Sequence, residues 1–446
     1  MLPALLLTML LSDAIAEYRH ADATAHSRRD VLGRLANDGG EEALATFAEL
    51  VADSPPASVE DALVAFAPLM RPRPNLSVEA LFPRLLDAVE HVRVAAIVLD
   101  IANHFTRSGR LGPHPASDRA VVLADLFAKV TIGLEKLSTA PPADANTWES
   151  QRRTAEEGFA LLISLADALA LVGDRSVCDK LRPALELPHR RLRTEVAAAL
   201  ARLGQADGIA ALATMTAEPV VRARAIYYLE ELGLADEIPG QHRTPTAKAE
   251  GVLAEWLAAP LQLGLAPHAI ELLDHRKQFW PGYEEPVECF LLRYAYSAAQ
   301  GELRGVGIVG PLVHATACDV DDLPPEDVYA LFAGYHAEHE QIQETPLANL
   351  SGVEWDAVDT LCRDLNVLFT EVTPVEVGRF FGERHIVATA KRGGQPGTVV
   401  LDSNEPHWYR AGEPQRPLGI DEAYQIHKGR KLLAAFNSSP SDAKNG

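Results

Sequence analysis

Cysteine is scarce: four in 446 residues, at Cys178, Cys289, Cys318 and Cys362, with no pair at the short spacing of a disulfide framework or zinc knuckle. They read as small buried hydrophobes in a reducing compartment. Basic residues are also in deficit, 41 Lys and Arg against 62 Asp and Glu, for a net charge of −21. That balance argues against a broad phosphate-binding surface, so no nucleic-acid partner is expected. Long apolar runs are missing too. The run Leu2 to Leu11 is too short to span a bilayer, and no membrane partner is expected. No Lys or Arg precedes it, and it continues into SDAIAEYRH with Leu7, Leu11, Ile15 and Tyr18 at helical spacing. It therefore reads as a first helix in a cytoplasmic protein, with a signal peptide ending at Ala14-Ile15-Ala16 as the alternative. No P-loop, nucleophile elbow or paired-carboxylate signature is present. No cofactor is expected and no residue is assigned a catalytic role, although a catalytic set assembled from distant positions stays open.

What is there is a globular composition, 47% hydrophobic and 23% charged, in a chain long enough for two or three domains. The stretch from His189 to Gly233 holds one pattern written twice. With Leu203-Gly204 placed over Leu232-Gly233, Val196 falls on Ala225, Ala197 on Ile226 and Leu200 on Leu229, at a fixed offset of 29 residues. A third copy ends at Val172-Gly173, offset by 31, with Leu161, Leu165, Ala166 and Leu169 in the matching places. Small and apolar residues at i, i+4, i+5 and i+8 in a tandem repeat predict helical pairs that bury their apolar faces by stacking. Earlier helices are predicted over Arg28–Ala36, Glu41–Ala52, Val59–Met70, Ser77–Glu90, His91–Thr106, Ser117–Leu137 and Trp148–Val172.

The segments LRTEVAAALARLGQADGIAALATM (192–215) and VRARAIYYLEELGLAD (221–236) resemble HEAT repeats, especially the short, roughly 30-residue variety of phycobilisome-lyase-type proteins. The resemblance is clear over about 160–236 and weaker back to about 27. It implies an α-solenoid that binds other proteins as a scaffold or adaptor, and a bilin-lyase-like role as a more remote alternative.

Past the polar linker EIPGQHRTPTA (237–247) a helical pair is predicted, Lys248–Ala258 and Pro267–Asp274, after which the texture changes. Strands are predicted over Pro286–Ser297, Leu303–Val309, His385–Lys391, Thr398–Asp402 and His407–Arg410. Helices are predicted from Asp322 with an apolar stripe running to Ile342, over Gly352–Leu368, and over Asp421–Phe436. The expected protein is thus mostly α: a HEAT-like solenoid at 1–275, an α+β module with a short antiparallel sheet at 276–437, and a disordered tail at 438–446.

Arg190, Arg191, Arg193, Arg222 and Arg224 cluster at the starts of two stacked helices. They form either a partner-binding stripe or an inter-repeat ladder with Glu186, Glu195 and Glu218, such as HEAT proteins commonly carry. Trp280 and Tyr283, in FWPGYEE, are either an exposed partner-binding patch or glue between domains. Gly305, Gly307 and Gly310 match GxGxxG by letter, but Pro311 follows where a dinucleotide site needs a helix, so close strand packing is the better reading. His314, Cys318, Asp319, His336 and His339 are the one group with metal-ligand chemistry, and they offer an alternative in which the C-terminal module is an enzyme or a metal-dependent protein. HAEHE is not the zinc-protease motif, and no metal is assigned.

Overall fold

The computed structural model describes residues 12–20, 24–139, 144–259, 261–262, 264–298, 301–316, 320, 322–336, 342–380, 382–402, 405–411 and 416–437. The run Leu2 to Leu11 and the tail expected at 438–446 lie outside the described residues. The chain forms two compact units, Met1–Pro239 and Gly240–Gly446. The division falls inside the polar linker. The boundary anticipated at 275/276 lies within a strand instead.

Among its described residues the first unit contains helices joined by turns and no strand. After a helical stretch at residues 12–19 come α1 (Ala25–Asp38), α2 (Glu41–Asp53), α3 (Val59–Phe66), α4 (Val92–Arg107), α5 (Ala120–Thr139), α6 (Ala145–Val172), the single turn α7 (Cys178–Leu181), α8 (Arg190–Arg202), α9 (Ala206–Met215) and α10 (Pro219–Glu231). Ser77–Glu90 is not the expected α-helix but two 3-10 turns, Val78–Leu81 and Arg84–Glu90, parted by Pro83, which has no N–H to continue a helix. Pro68 likewise turns the end of the Val59–Met70 helix into a 3-10 turn. The repeat seen in sequence has a geometric cause. Gly173, Gly204 and Gly233 all have φ between 71° and 80°, the left-handed conformation that stops each helix and costs a side-chain-bearing residue energy. α4 packs on α6, α6 on α8, and α8 on both α9 and α10. Gly208 lets α9 sit against α8, where a methyl group would overlap the backbone at Ala197 and Ala201.

The second unit contains one arrangement twice. α11 (Pro245–Ala258), the antiparallel strands β1 (Ala269–Gln278), β2 (Val287–Ala298), β3 (Gly301–Val309) and β4 (His314–Thr316), and α12 (Pro325–His336) make the first half. β5 (Ile342–Pro346) follows. Then α13 (Gly352–Leu365), β6 (Thr370–Phe380), β7 (Glu383–Arg392), β8 (Gln395–Leu401), β9 (Pro406–Ala411), β10 (Arg416–Pro417) and α14 (Ile420–Asn437) make the second. The sheets run β1-β2-β3-β4 and β10-β9-β8-β7-β6-β5. Pro267–Asp274, expected as helix, belongs largely to β1, and the stripe expected to reach Ile342 ends at His336, with Ile342 opening β5.

The halves match in register. Leu291, Ile308 and His314 lie abreast on β2, β3 and β4, as Val387, Val400 and His407 do on β7, β8 and β9. In each half an outer helix packs on one face of the sheet: Leu253 and Leu257 of α11 with Phe290 and Leu292, and Cys362 and Leu365 of α13 with Ile386 and Ala388. The other faces, through Leu291 and Val387, share one core with α12 and α14.

Those two helices align at an offset of 95: Glu326/Asp421, Asp327/Glu422, Tyr329/Tyr424, Leu331/Ile426 and Gly334/Gly429. They touch backbone to backbone. A methyl group on Gly334 would overlap the Gln425 carbonyl, and one on Gly429 would overlap the Ala330 carbonyl.

Gly429→Ala is therefore expected to destabilise the second unit by about 1–3 kcal/mol through overpacking, despite the ~1 kcal/mol that alanine gains over glycine in a helix. In denaturant unfolding of the full chain, the transition of this unit should move and that of the solenoid should not. Gly133→Ala, whose methyl would meet open space on α5, should be neutral or stabilising in the same assay.

Candidate functional site

The arginine cluster is largely turned to the protein's own use. Arg193 pairs with Glu218 at 2.8 Å, Arg190 with the same carboxylate at 3.4 Å, and Arg224 with Glu195 at 2.9 Å. Glu195 also accepts from the Tyr228 hydroxyl at 2.6 Å. Burial, with Glu195 beside it, pushes that phenol up to about 12 and keeps it a donor. Arg222 is 6% exposed, and its Nε donates to the Thr216 carbonyl at 2.8 Å. One rung further on, Arg202 pairs with Glu231 at 2.8 Å and lies over the Tyr228 ring. Arg107 of α4 reaches Asp167 of α6. Of the five arginines, Arg190 and Arg191 are exposed, Arg193 and Arg224 are half-buried in pairs, and Arg222 faces inward. Glu186, expected in the ladder, is exposed.

Trp280 is 2% exposed and belongs to the core of the second unit, so it does not form the exposed patch considered from sequence. Tyr283 stays on the surface and donates to the Pro311 carbonyl at 2.6 Å. Gly305, Gly307 and Gly310 lie along or just beyond β3, where side chains would overlap Tyr294, Leu253 and the Glu288 carbonyl respectively. β4, not a helix, follows them. His314 and His336 do come together, with ring centroids 4.4 Å apart, beside Phe332 and Trp256. Burial lowers both imidazoles below their ordinary range. Cys318, Asp319 and His339 lie outside the described residues. Among the described residues no group of three His, Cys, Asp or Glu side chains is placed to hold a metal ion.

A second polar cluster occupies the corresponding place in the other half. The Asp402 Oδ2 atom, at the end of β8, faces Lys431 Nζ at 2.8 Å, His407 Nε2 at 3.3 Å and His427 Nε2 at 3.8 Å. The Tyr409 hydroxyl is 3.0 Å from His427 Nδ1. Beside this group, His385 Nε2 meets the Tyr424 hydroxyl at 3.1 Å, and Tyr424 and Lys428 both reach Glu344 at 3.2 Å. Tyr424, His427, Lys428 and Lys431 share one stripe of α14 at i, i+3, i+4 and i+7. Burial pushes His427 down to about 3 and His385 down to about 4. Both imidazoles are therefore neutral at pH 7. A neutral His427 facing a carboxylate favours the Nε2–H tautomer, so Nδ1 accepts from Tyr409. The ammonium of Lys431 stands where a metal cation would approach Asp402. What the cluster can do is take up protons next to a buried carboxylate.

Sequence inspection missed this cluster because its members are scattered over four elements, between residues 385 and 431, with no motif spacing. The one usable signal was the stripe on α14, which places two lysines and a histidine where an amphipathic helix would bury apolar groups.

Residues 159–230 match the family model described as HEAT repeats. That span covers α8, α9 and most of α10, together with the second half of α6. No curated protein and no solved structure matches the chain significantly.

Glu195→Gln, which removes the charge shared by Arg224 and Tyr228, is expected to cost the solenoid about 1.5–3 kcal/mol as a lost charged hydrogen bond. Arg190→Ala, at an exposed pair, should change stability by less than about 0.5 kcal/mol. Chemical denaturation of the full chain, followed by helical circular dichroism, distinguishes the two.

Proposed function

We propose that this protein is a binding scaffold whose HEAT solenoid engages a protein partner carrying basic patches. The observation that carries this reading is the ladder. HEAT repeats commonly serve protein interaction, and here glutamates neutralise most of the arginines between repeats. The charge left over for a partner is acidic, within a net charge of −21. Tyr227 supplies an anchor: it is 60% exposed on α10, one turn from the exposed Glu230. A tyrosine ring beside a carboxylate suits a lysine or arginine side chain from a partner. Arg190 and Arg191, exposed at the start of α8, are the proposed contacts for an acidic element of the same partner.

The full chain, immobilised and challenged with native lysate at about 50 mM salt, is expected to retain a basic protein in stoichiometric amount and to release it as salt screens the contact. Tyr227→Ala/Glu230→Lys should weaken that capture about tenfold, the loss of one hot spot. Stoichiometric capture that the double variant leaves unchanged would move the contact elsewhere. No retained protein at low salt would overturn the scaffold reading.

A further inference from the structure

The two halves of the second unit offer an internal comparison. His427 is 2% exposed on α14, and its counterpart on α12, 95 residues earlier, is Phe332, 1% exposed. The same fold position is thus filled by a phenylalanine in one half, so packing alone does not call for an imidazole in the other. Lys431 corresponds in the same way to His336. We propose that the Asp402 cluster is a proton-operated latch that ties α14 to the second sheet at neutral pH and releases it in acid.

The charges set the direction. With His427 neutral, the Asp402 carboxylate and the Lys431 ammonium face each other at 2.8 Å. A proton added to His427 leaves an excess positive charge in a buried site, where repulsion is weakly screened. Of the flanking carboxylates, one offsets part of this. Glu383 on β7 lies 3.7 Å from Lys431, Glu344 on β5 is held by Lys428 and Tyr424, and Asp327 on α12 is held by Arg430. Glu376 on β6 has its carboxyl raised by burial and by Glu344 and Asp421, so it loses its negative charge early as pH falls. His385 and His427 bind protons near 6.5 in an unfolded chain and only near 4 and 3 in the folded one. The stability linked to them is therefore present above about pH 6.5 and is lost progressively as pH falls below it. Because α14 also closes against α12, release of α14 parts the two halves.

The test is hydrogen exchange on the full chain at about pH 7.5 and about pH 5.0, corrected for intrinsic rates, with α8 as internal reference. Protection of α14 is expected to fall about tenfold or more in acid while that of α8 changes less than about threefold. His427→Phe, which copies the other half, should clearly reduce the fall in α14, leaving the part linked to His385. Asp402→Asn should act in the opposite sense and lower α14 protection already at about pH 7.5, because it takes from Lys431 its closer, buried carboxylate and leaves only Glu383 at 3.7 Å. The latch is overturned if α14 and α8 respond alike in the wild type, or if His427→Phe keeps the full acid response. Should His427→Phe fail to fold, unchanged α14 protection in Asp402→Asn overturns it equally.

Discussion

The second unit depends on a contact made at the backbone. Gly334 and Gly429 bring α12 and α14 together at their backbones, and each helix carries one sheet on its remaining faces. A contact of this kind gains dispersion energy from many close atoms and tolerates no added volume. It also explains why the two sheets, which share no strand, nevertheless share a core: Leu291 and Ile308 from one and Val387 and Val400 from the other belong to a single apolar cluster with the helix pair.

The solenoid obeys a different rule. Its stability is spread over neighbour-to-neighbour steps of apolar burial, with left-handed glycine stops at Gly173, Gly204 and Gly233 and charged rungs beside them. The rungs are not interchangeable ornaments on the surface. Glu195 is shared between Arg224 and Tyr228, and Arg202 is shared between Glu231 and the face of Tyr228, so α8 and α10 are joined through coupled side chains whose effects do not add.

The sequence was most legible where one residue type had one physical job. The -Leu-Gly endings at 203–204 and 232–233 mark real left-handed stops, and the small and apolar positions before them are buried in α8 and α10. The hairpin strands β2 and β3 and the helix α14 were legible for the same reason, since period and flanking turns agree. Legibility failed where tertiary pairing overrode local pattern. Pro267–Asp274 has a helix-like apolar spacing, but pairing with β2 makes most of it a strand. β6, with Pro374 and two register shifts, has too irregular an alternation to announce itself. The Asp402 cluster was illegible because it is made by register, not by spacing: only the pairing of β7, β8 and β9 brings His385, Asp402 and His407 beside one stripe of α14. The duplication was in principle visible, in D/E-x-Tyr-x-Leu/Ile-x-x-Gly at 327–334 and 422–429, but two helices alone give a weak signal across 95 residues.

The glycine contact repeats at intervals of four, Ala330 and Gly334 on one helix against Gln425 and Gly429 on the other. Sliding one helix along its neighbour by less than a turn would drive a Cβ into a carbonyl, and sliding by a full turn would replace a glycine with a larger residue. The pair therefore has no intermediate settings. Relative movement of these two helices is a step rather than a drift.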